Sequence, residues 1–203
     1  MKNMSEKREN PACPEGKIGE QMLERMNKSH EPLRKFGLPL IPWRKGMRIL
    51  DVGCGGGATI AEMLQLSEDS MIDGVDYSPV SVQQTIEMNK AFVGTRCRVQ
   101  QADVAELPFE EETFDLVTAM ETVYFWPDIK TAFGEIRRVL KPGGMFVIIN
   151  EACDPEGIDW PEIDHFMYIY RPDELEKLLT DCGFAQLEIH RDGPQMLCVI
   201  CRK

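Results

Sequence analysis

Ile49-Leu50-Asp51-Val52-Gly53-Cys54-Gly55-Gly56-Gly57-Ala58 is the stretch that decides the fold. An apolar, strand-forming run enters a turn with four glycines in five positions and leaves into a helix-forming segment. Each glycine costs roughly 0.5 to 1 kcal/mol of chain entropy on folding. A plain strand-to-helix connection has no need of that cost. A turn of bare backbone amides at a helix start does have a use, because it lets a ligand come close to the main chain.

Outward from this turn, short apolar strands alternate with amphipathic helices, the pattern of a mostly parallel sheet covered on both faces. Met47 to Val52 reads as the first strand and Ala58 to Leu66 as its helix. Ser70 to Asp76 reads as the second strand. Ser78 as N-cap and Pro79 as first helical residue then open a helix running to about Phe92. Cys97 to Gln101 and Phe114 to Met120 are the third and fourth strands. Ile129, Ala132, Phe133, Ile136, Val139 and Leu140 fall at the spacing of a buried helical stripe, which Pro142-Gly143-Gly144 ends. Met145 to Ile149 is a fifth strand, apolar throughout and so expected in the sheet centre. Pro172 to Cys182 is a helix closed by Gly183. Ala185 to Arg191 and Gln195 to Arg202 form an antiparallel pair about a short turn.

Upstream, the first fifteen residues mix charges with Pro11 and Pro14 and are expected to fray. Ile18, Met22, Leu23 and Met26 place a helix between Gly16 and His30, and Pro32, Pro39 and Pro42 keep the chain irregular up to Gly46. The expected organisation is a tail and helical cap over residues 1–45 and one main domain over residues 46–203. The segment from Asn150 to Tyr170, with Pro155, Gly157, Pro161 and several aromatics, breaks the rhythm and is a candidate lid.

Composition narrows the partners. With 34 acidic and 23 basic residues the formal charge is -11, so nucleic acid and anionic membranes are disfavoured. No run of about 18 apolar residues and no basic start followed by an apolar stretch is present. The expectation is a cytoplasmic protein, monomer or homodimer. Seven scattered cysteines read as reduced thiols. Cys198 and Cys201, three apart on a strand, should face opposite ways, so no metal site is expected.

The glycine turn alone does not separate nicotinamide, flavin and sulfonium cofactors. Asp76, about twenty residues further on at the end of the second strand, can accept both hydroxyls of a ribose, which still suits NAD. Later features discriminate. Gln101-Ala102-Asp103-Val104-Ala105-Glu106-Leu107-Pro108-Phe109 puts an acid beside an apolar residue, able to read an adenine by its amino group and its face. Phe114-Asp115-Leu116-Val117, Met120-Glu121, Arg138-Val139-Leu140-Lys141-Pro142-Gly143-Gly144 and the terminal antiparallel pair follow in order.

Together these motifs resemble the class I S-adenosylmethionine-dependent methyltransferases, in their small-molecule branch similar to the quinone-biosynthesis enzymes. The resemblance runs from about Met47 to Cys201. It implies an α/β, Rossmann-like fold: a seven-stranded, mostly parallel sheet with helices on both faces and its last strand antiparallel. It implies S-adenosyl-L-methionine as cofactor, with Asp51, Gly53, Gly55 and Gly57 shaping the methionine side and Asp76 holding the ribose. Tyr77 would pack on adenine or ribose, Asp103 and Val104 would flank adenine, and Met120 would complete the cofactor pocket.

Asp115 is read as pinning a loop instead of touching ligand. The small-molecule acceptor should lie beyond the strand ends near Glu121, Thr122, Tyr124 and Trp126. Here Glu121-Thr122-Val123-Tyr124-Phe125-Trp126 stands where quinone-pathway relatives often carry histidines. An acidic, aromatic mouth suits a cationic or polar heteroaromatic acceptor. His30, His165, Tyr168 and Tyr170 are further candidates to line it, while His190 should face solvent. Alignment and desolvation can carry such a displacement, so no dedicated acid or base is assigned. The alternatives are a non-catalytic module that binds the same cofactor, an NAD-dependent oxidoreductase, and a related transfer such as that of an aminopropyl group.

Overall fold

The computed structural model describes residues 10–156 and 167–203. Seven strands form one sheet in the order β3-β2-β1-β4-β5-β7-β6. These are β1 (Arg48–Val52), β2 (Met71–Asp76), β3 (Cys97–Gln101), β4 (Phe114–Met120), β5 (Leu140–Asn150), β6 (Ala185–Asp192) and β7 (Met196–Arg202). β7 runs antiparallel to both its neighbours, and the other pairings are parallel. The helices are α1 (Gly16–Ser29), α2 (Glu31–Gly37), α3 (Ala58–Leu66), α4 (Pro79–Met88), α5 (Ile129–Val139) and α6 (Pro172–Asp181).

Side-chain alternation along the central strands feeds two cores. Phe146 and Ile148 of β5 face α5 and α6, where Phe133, Ile136, Leu175 and Leu179 are fully buried. Val147 and Ile149 face the other way, against Leu33 of α2 and Ile60 and Met63 of α3. Both faces of β5 are therefore covered, which is why its stretch from Met145 to Ile149 is unbroken apolar. On β7, Cys198 and Cys201 fall into the two different cores, as the strand period requires.

Four details depart from the sequence reading. The chain before β1 is not irregular throughout: Pro32 sits in the first turn of α2, where its missing N–H has no partner to lose. Residues 10–15 are packed instead of frayed, because the Ser78 hydroxyl donates to the Pro14 carbonyl at 2.6 Å. α4 ends at Met88, four residues short of Phe92, where Asn89 turns its amide back to donate to the Gly57 and Thr85 carbonyls. α5 ends at Val139, before Pro142. The Arg138 and Val139 carbonyls accept from the Glu112 and Thr113 amides, so the chain leaves the helix early and pairs with β4 from Leu140. The proposed lid is described only at its two ends, residues 150–156 and 167–170.

Phe133 joins the aromatic rings of Trp126, Phe146 and Phe184 in edge-on contacts and is fully buried. Phe133→Ala is expected to lower unfolding stability by about 3–5 kcal/mol in urea titrations. A loss near zero would remove this cluster from the core.

Candidate active site

The glycine turn begins where β1 ends. The amides of Gly53 and Cys54 both donate to the Val75 carbonyl, at 2.8 and 3.0 Å, which bends the chain over the end of β2. Gly53 has a left-handed backbone (φ +75°), and a Cβ there would lie 2.3 Å from the Thr122 hydroxyl, so no side chain is admitted. Gly57, also left-handed, is pressed against Thr85 and Asn89 of the α4 end, behind the turn.

Above the strand ends lies a cavity of about 390 Å³. At one end Asp76, Tyr77, Ala102, Asp103 and Val104 form its wall. Asp76 is tied to the glycine turn: one carboxylate oxygen accepts from the Gly55 amide and the other from the Ser78 amide, both at 2.9 Å. Each oxygen keeps a second lone pair for a ligand hydroxyl. Burial raises the Asp76 pKa, and the two amides together with the nearby Ser81 hydroxyl work against that rise. Ser81 lines the cavity as well, and its buried hydroxyl makes no hydrogen bond of good geometry within the described residues. Asp103 accepts from the Ala105 amide at 2.9 Å, so it caps its turn while lining the cavity. Tyr77 stands at the rim, 60% exposed. Pro11 to Pro14 close this end from above.

The other end is made by His30, Asn27, Met120, Glu121, Thr122 and Trp126. His30 sits at the junction of α1 and α2. Glu121 follows β4 with a left-handed backbone (φ +57°), uncommon for a residue with a side chain, while its amide donates to the Ile149 carbonyl. One Glu121 oxygen accepts from the Tyr124 hydroxyl at 2.9 Å and from the Glu151 amide. The other lies 3.9 Å from His30 Nε2, and Glu151 Oε1 lies 3.7 Å from the same nitrogen. Among the described residues these three are the group whose donor atoms converge closely enough to hold a cation, all within 4.8 Å. Burial, reinforced by the Glu151 charge, pushes Glu121 up to about 8. Burial also raises Glu151, and burial with the nearby Arg34 charge lowers His30 to about 4.

Of the residues named from sequence, Gly53, Gly55, Asp76, Tyr77, Asp103, Val104, Met120, His30, Glu121 and Trp126 line this one cavity. Asp51 and Gly57 do not. Asp51 is buried beneath the turn, bonded to Thr118 at 2.6 Å, and burial lifts it to about 7. Tyr124 is buried behind Glu121 and braces it. Tyr168 is exposed outside the cavity wall, with its ring against Tyr170 and its hydroxyl donating to Glu174. His165 lies outside the described residues. His190 is near Glu188 on β6, away from the cavity. Asp115 pins a loop as expected, accepting from the Arg48 amide and Lys141. Sequence reasoning missed Ser81, Asn27 and Glu151. An acid directly after a strand was the signal for Asp76, and Glu151 offers the same signal after β5.

This arrangement has known counterparts. A family model described as a methyltransferase domain matches residues 50–148. An O-methyltransferase of Pyrenophora dematioidea is 33% identical over 150 residues, covering 70% of this chain and 56% of that protein. Over this stretch the chain is similar to the class I S-adenosylmethionine-dependent methyltransferases. A cycloartenol-C-24-methyltransferase of Arabidopsis thaliana is also 33% identical over 150 residues, covering 71% of this chain and 43% of the relative. The chain thus spans about half the length of these curated methyltransferases. A solved S-adenosylmethionine-dependent methyltransferase from Aquifex aeolicus shares the fold with a TM-score of 0.73 at 19% identity, over 90% of this chain and 97% of that one.

The buried acids give this protein a pH signature. Glu121 and Asp51 hold protons in the folded state that the unfolded chain has lost, so stability falls as pH rises from about 6.5 to 8. Neutral, buried His30 acts in the opposite sense, mostly below its unfolded pKa of about 6.5. Melting temperature is expected to drop across that window and to drop less in Glu121→Gln. Identical slopes in the two proteins would contradict the assignment to Glu121.

Proposed function

We propose that this chain transfers the methyl group of S-adenosyl-L-methionine to a small molecule held at the His30, Glu121 and Trp126 end of the cavity. The observation that carries the reading is the pairing, in one cavity, of an end built on Asp76 with an acidic, aromatic end beyond it. The residues present suit the cofactor. Asp76 keeps free lone pairs for ribose hydroxyls, the Ser81 hydroxyl beside it is buried without a good partner, and Asp103 with Val104 offers an acceptor and an apolar edge for adenine. Gly53 and Gly55 leave backbone open toward the methionine portion.

When bound, S-adenosylmethionine supplies a methyl already activated by its sulfonium leaving group. The protein's part is to orient the acceptor in line and keep water out, and positioning of that kind contributes roughly 7 to 11 kcal/mol in well-aligned systems. Trp126 and Phe125 give the acceptor apolar surface, and Thr122 packs directly on Gly53 of the glycine turn. Names among the relatives, an O-methyltransferase and a sterol-type C-methyltransferase, favour a small acceptor over a macromolecule. We further read residues 1–45 as the cap and residues 46–203 as the catalytic domain, monomeric or homodimeric. Free thiols throughout the described residues suit a cytoplasmic setting. No described helix is long and apolar enough to cross a membrane.

Thermal melts test the cofactor half of this reading. At one hundred times its dissociation constant, S-adenosylmethionine or its demethylated product should add about 2.7 kcal/mol of stability. Asp76→Ala should abolish the shift. Stabilisation by NAD instead, or an undiminished shift in Asp76→Ala, would overturn the proposal.

A further inference from the structure

The acceptor end of the cavity brings together two acids, Glu121 and Glu151, that no lysine or arginine answers among the described residues. Glu121 is 8% exposed, and its Oε2 has no hydrogen-bond partner among the described residues while facing His30 across 3.9 Å. Glu151 Oε1 points at the same nitrogen from the end of β5. Arg34, the nearby cation on α2, is already committed: its Nε donates to Glu62 at 2.6 Å and its Nη2 to the Asn27 carbonyl at 2.8 Å. No lysine or arginine pairs with Glu121 or Glu151 among the described residues. In a side chain this little exposed, a carboxylate oxygen without a donor gains when a cation bearing N–H groups takes its place beside it.

Resting on the methyl-transfer reading above, we propose that the acceptor is a primary or secondary amine, bound as its ammonium ion between Glu121 Oε2 and Glu151 Oε1. An ammonium offers several N–H donors to the two carboxylates, whereas an alcohol or phenol offers one and a carboxylate ligand is repelled. The rings of Phe125 and Trp126, on the same wall, suit the cation and its hydrocarbon body. For attack, one ammonium N–H bond breaks and the proton passes to Glu151, which at 36% side-chain exposure can release it to water. The nitrogen lone pair so freed forms the N–C bond as the C–S bond breaks, its electron pair staying on sulfur. A sulfonium and an ammonium thereby become a thioether, a methylated ammonium and one released proton. Glu121, braced by Tyr124 and the Glu151 amide, keeps its place throughout.

The test is a calorimetric comparison of three size-matched probes, phenethylamine, phenethyl alcohol and phenylacetate, on full-length protein saturated with S-adenosylhomocysteine. EDTA is present throughout, because the same three donors could hold a divalent metal ion. Phenethylamine is expected to bind at least tenfold more tightly than the other two. Glu121→Gln, checked as folded by its S-adenosylhomocysteine uptake, should weaken phenethylamine at least tenfold. Glu151→Gln, a change at a partly exposed side chain beside His30, serves as the second variant and should weaken it too. Equal or tighter binding of the alcohol or the carboxylate, binding of none of the three, or undiminished phenethylamine binding in both variants overturns the amine assignment. Failure of the wild-type protein to take up S-adenosylhomocysteine would instead overturn the methyltransferase reading itself.

Discussion

The carboxylate of Asp76 adds a charged link between the glycine turn and the start of α4, two pieces of chain that already share hydrogen bonds. By accepting from the Gly55 amide of the glycine turn and from the Ser78 amide at the head of α4, it joins the ends of β1 and β2 into one rigid lip. The Ser78 hydroxyl extends the same connection to Pro14, so the segment before α1 is drawn over the cavity by the same corner. Backbone amides that would otherwise need water are satisfied, and lone pairs of the acid remain for a sugar. Sheet order then does the rest, since β4 lies beside β1 and β5 beside β4, which brings Glu121 to the far end of the same opening with Glu151 next to it.

The two ends of the cavity handle buried charge differently. Asp76 is compensated by the main chain, which resists the effect of its burial. Glu121 is compensated on one oxygen only, by Tyr124 and the Glu151 amide, and its neighbour is another carboxylate. An arrangement so unfavourable in isolation is tolerated where the surrounding fold enforces it, here by the left-handed backbone at Glu121 and the buried Tyr124 behind it. Such groups are sensitive to any cation that arrives. The sulfonium of the cofactor and an ammonium acceptor are both of that kind.

Most of the fold was legible in the sequence because its strands are short, apolar and separated by glycine and proline, and because a sheet covered on both faces leaves little ambiguity of period. Boundaries failed where tertiary bonds decided them. Asn89 ends α4 by reaching to Gly57, and the Glu112 and Thr113 amides end α5, contacts that no local pattern announces. The acids that line the cavity, Asp76 and Asp103, were legible from their places at and after strand ends, but the division of labour was not. Asp51 and Gly57 look like ligand residues in sequence and instead support the turn from below and behind. Tyr124 looks like an acceptor residue and instead braces Glu121. Asn27 and Glu151 reach the site only because α1 folds back over the strand ends and β5 stops beside β4, which is information held in the topology.

The central claim is that one opening seats an adenosine at Asp76 and presents its sulfur toward Glu121 and His30. A crystal structure of the full chain with S-adenosylhomocysteine addresses it most directly. The account predicts ribose hydroxyls within hydrogen-bonding distance of both Asp76 oxygens, adenine beside Asp103 and Val104, and the sulfur facing the space between His30 and Glu121. A nucleoside seated elsewhere, or one with its sulfur turned away from that space, would contradict it.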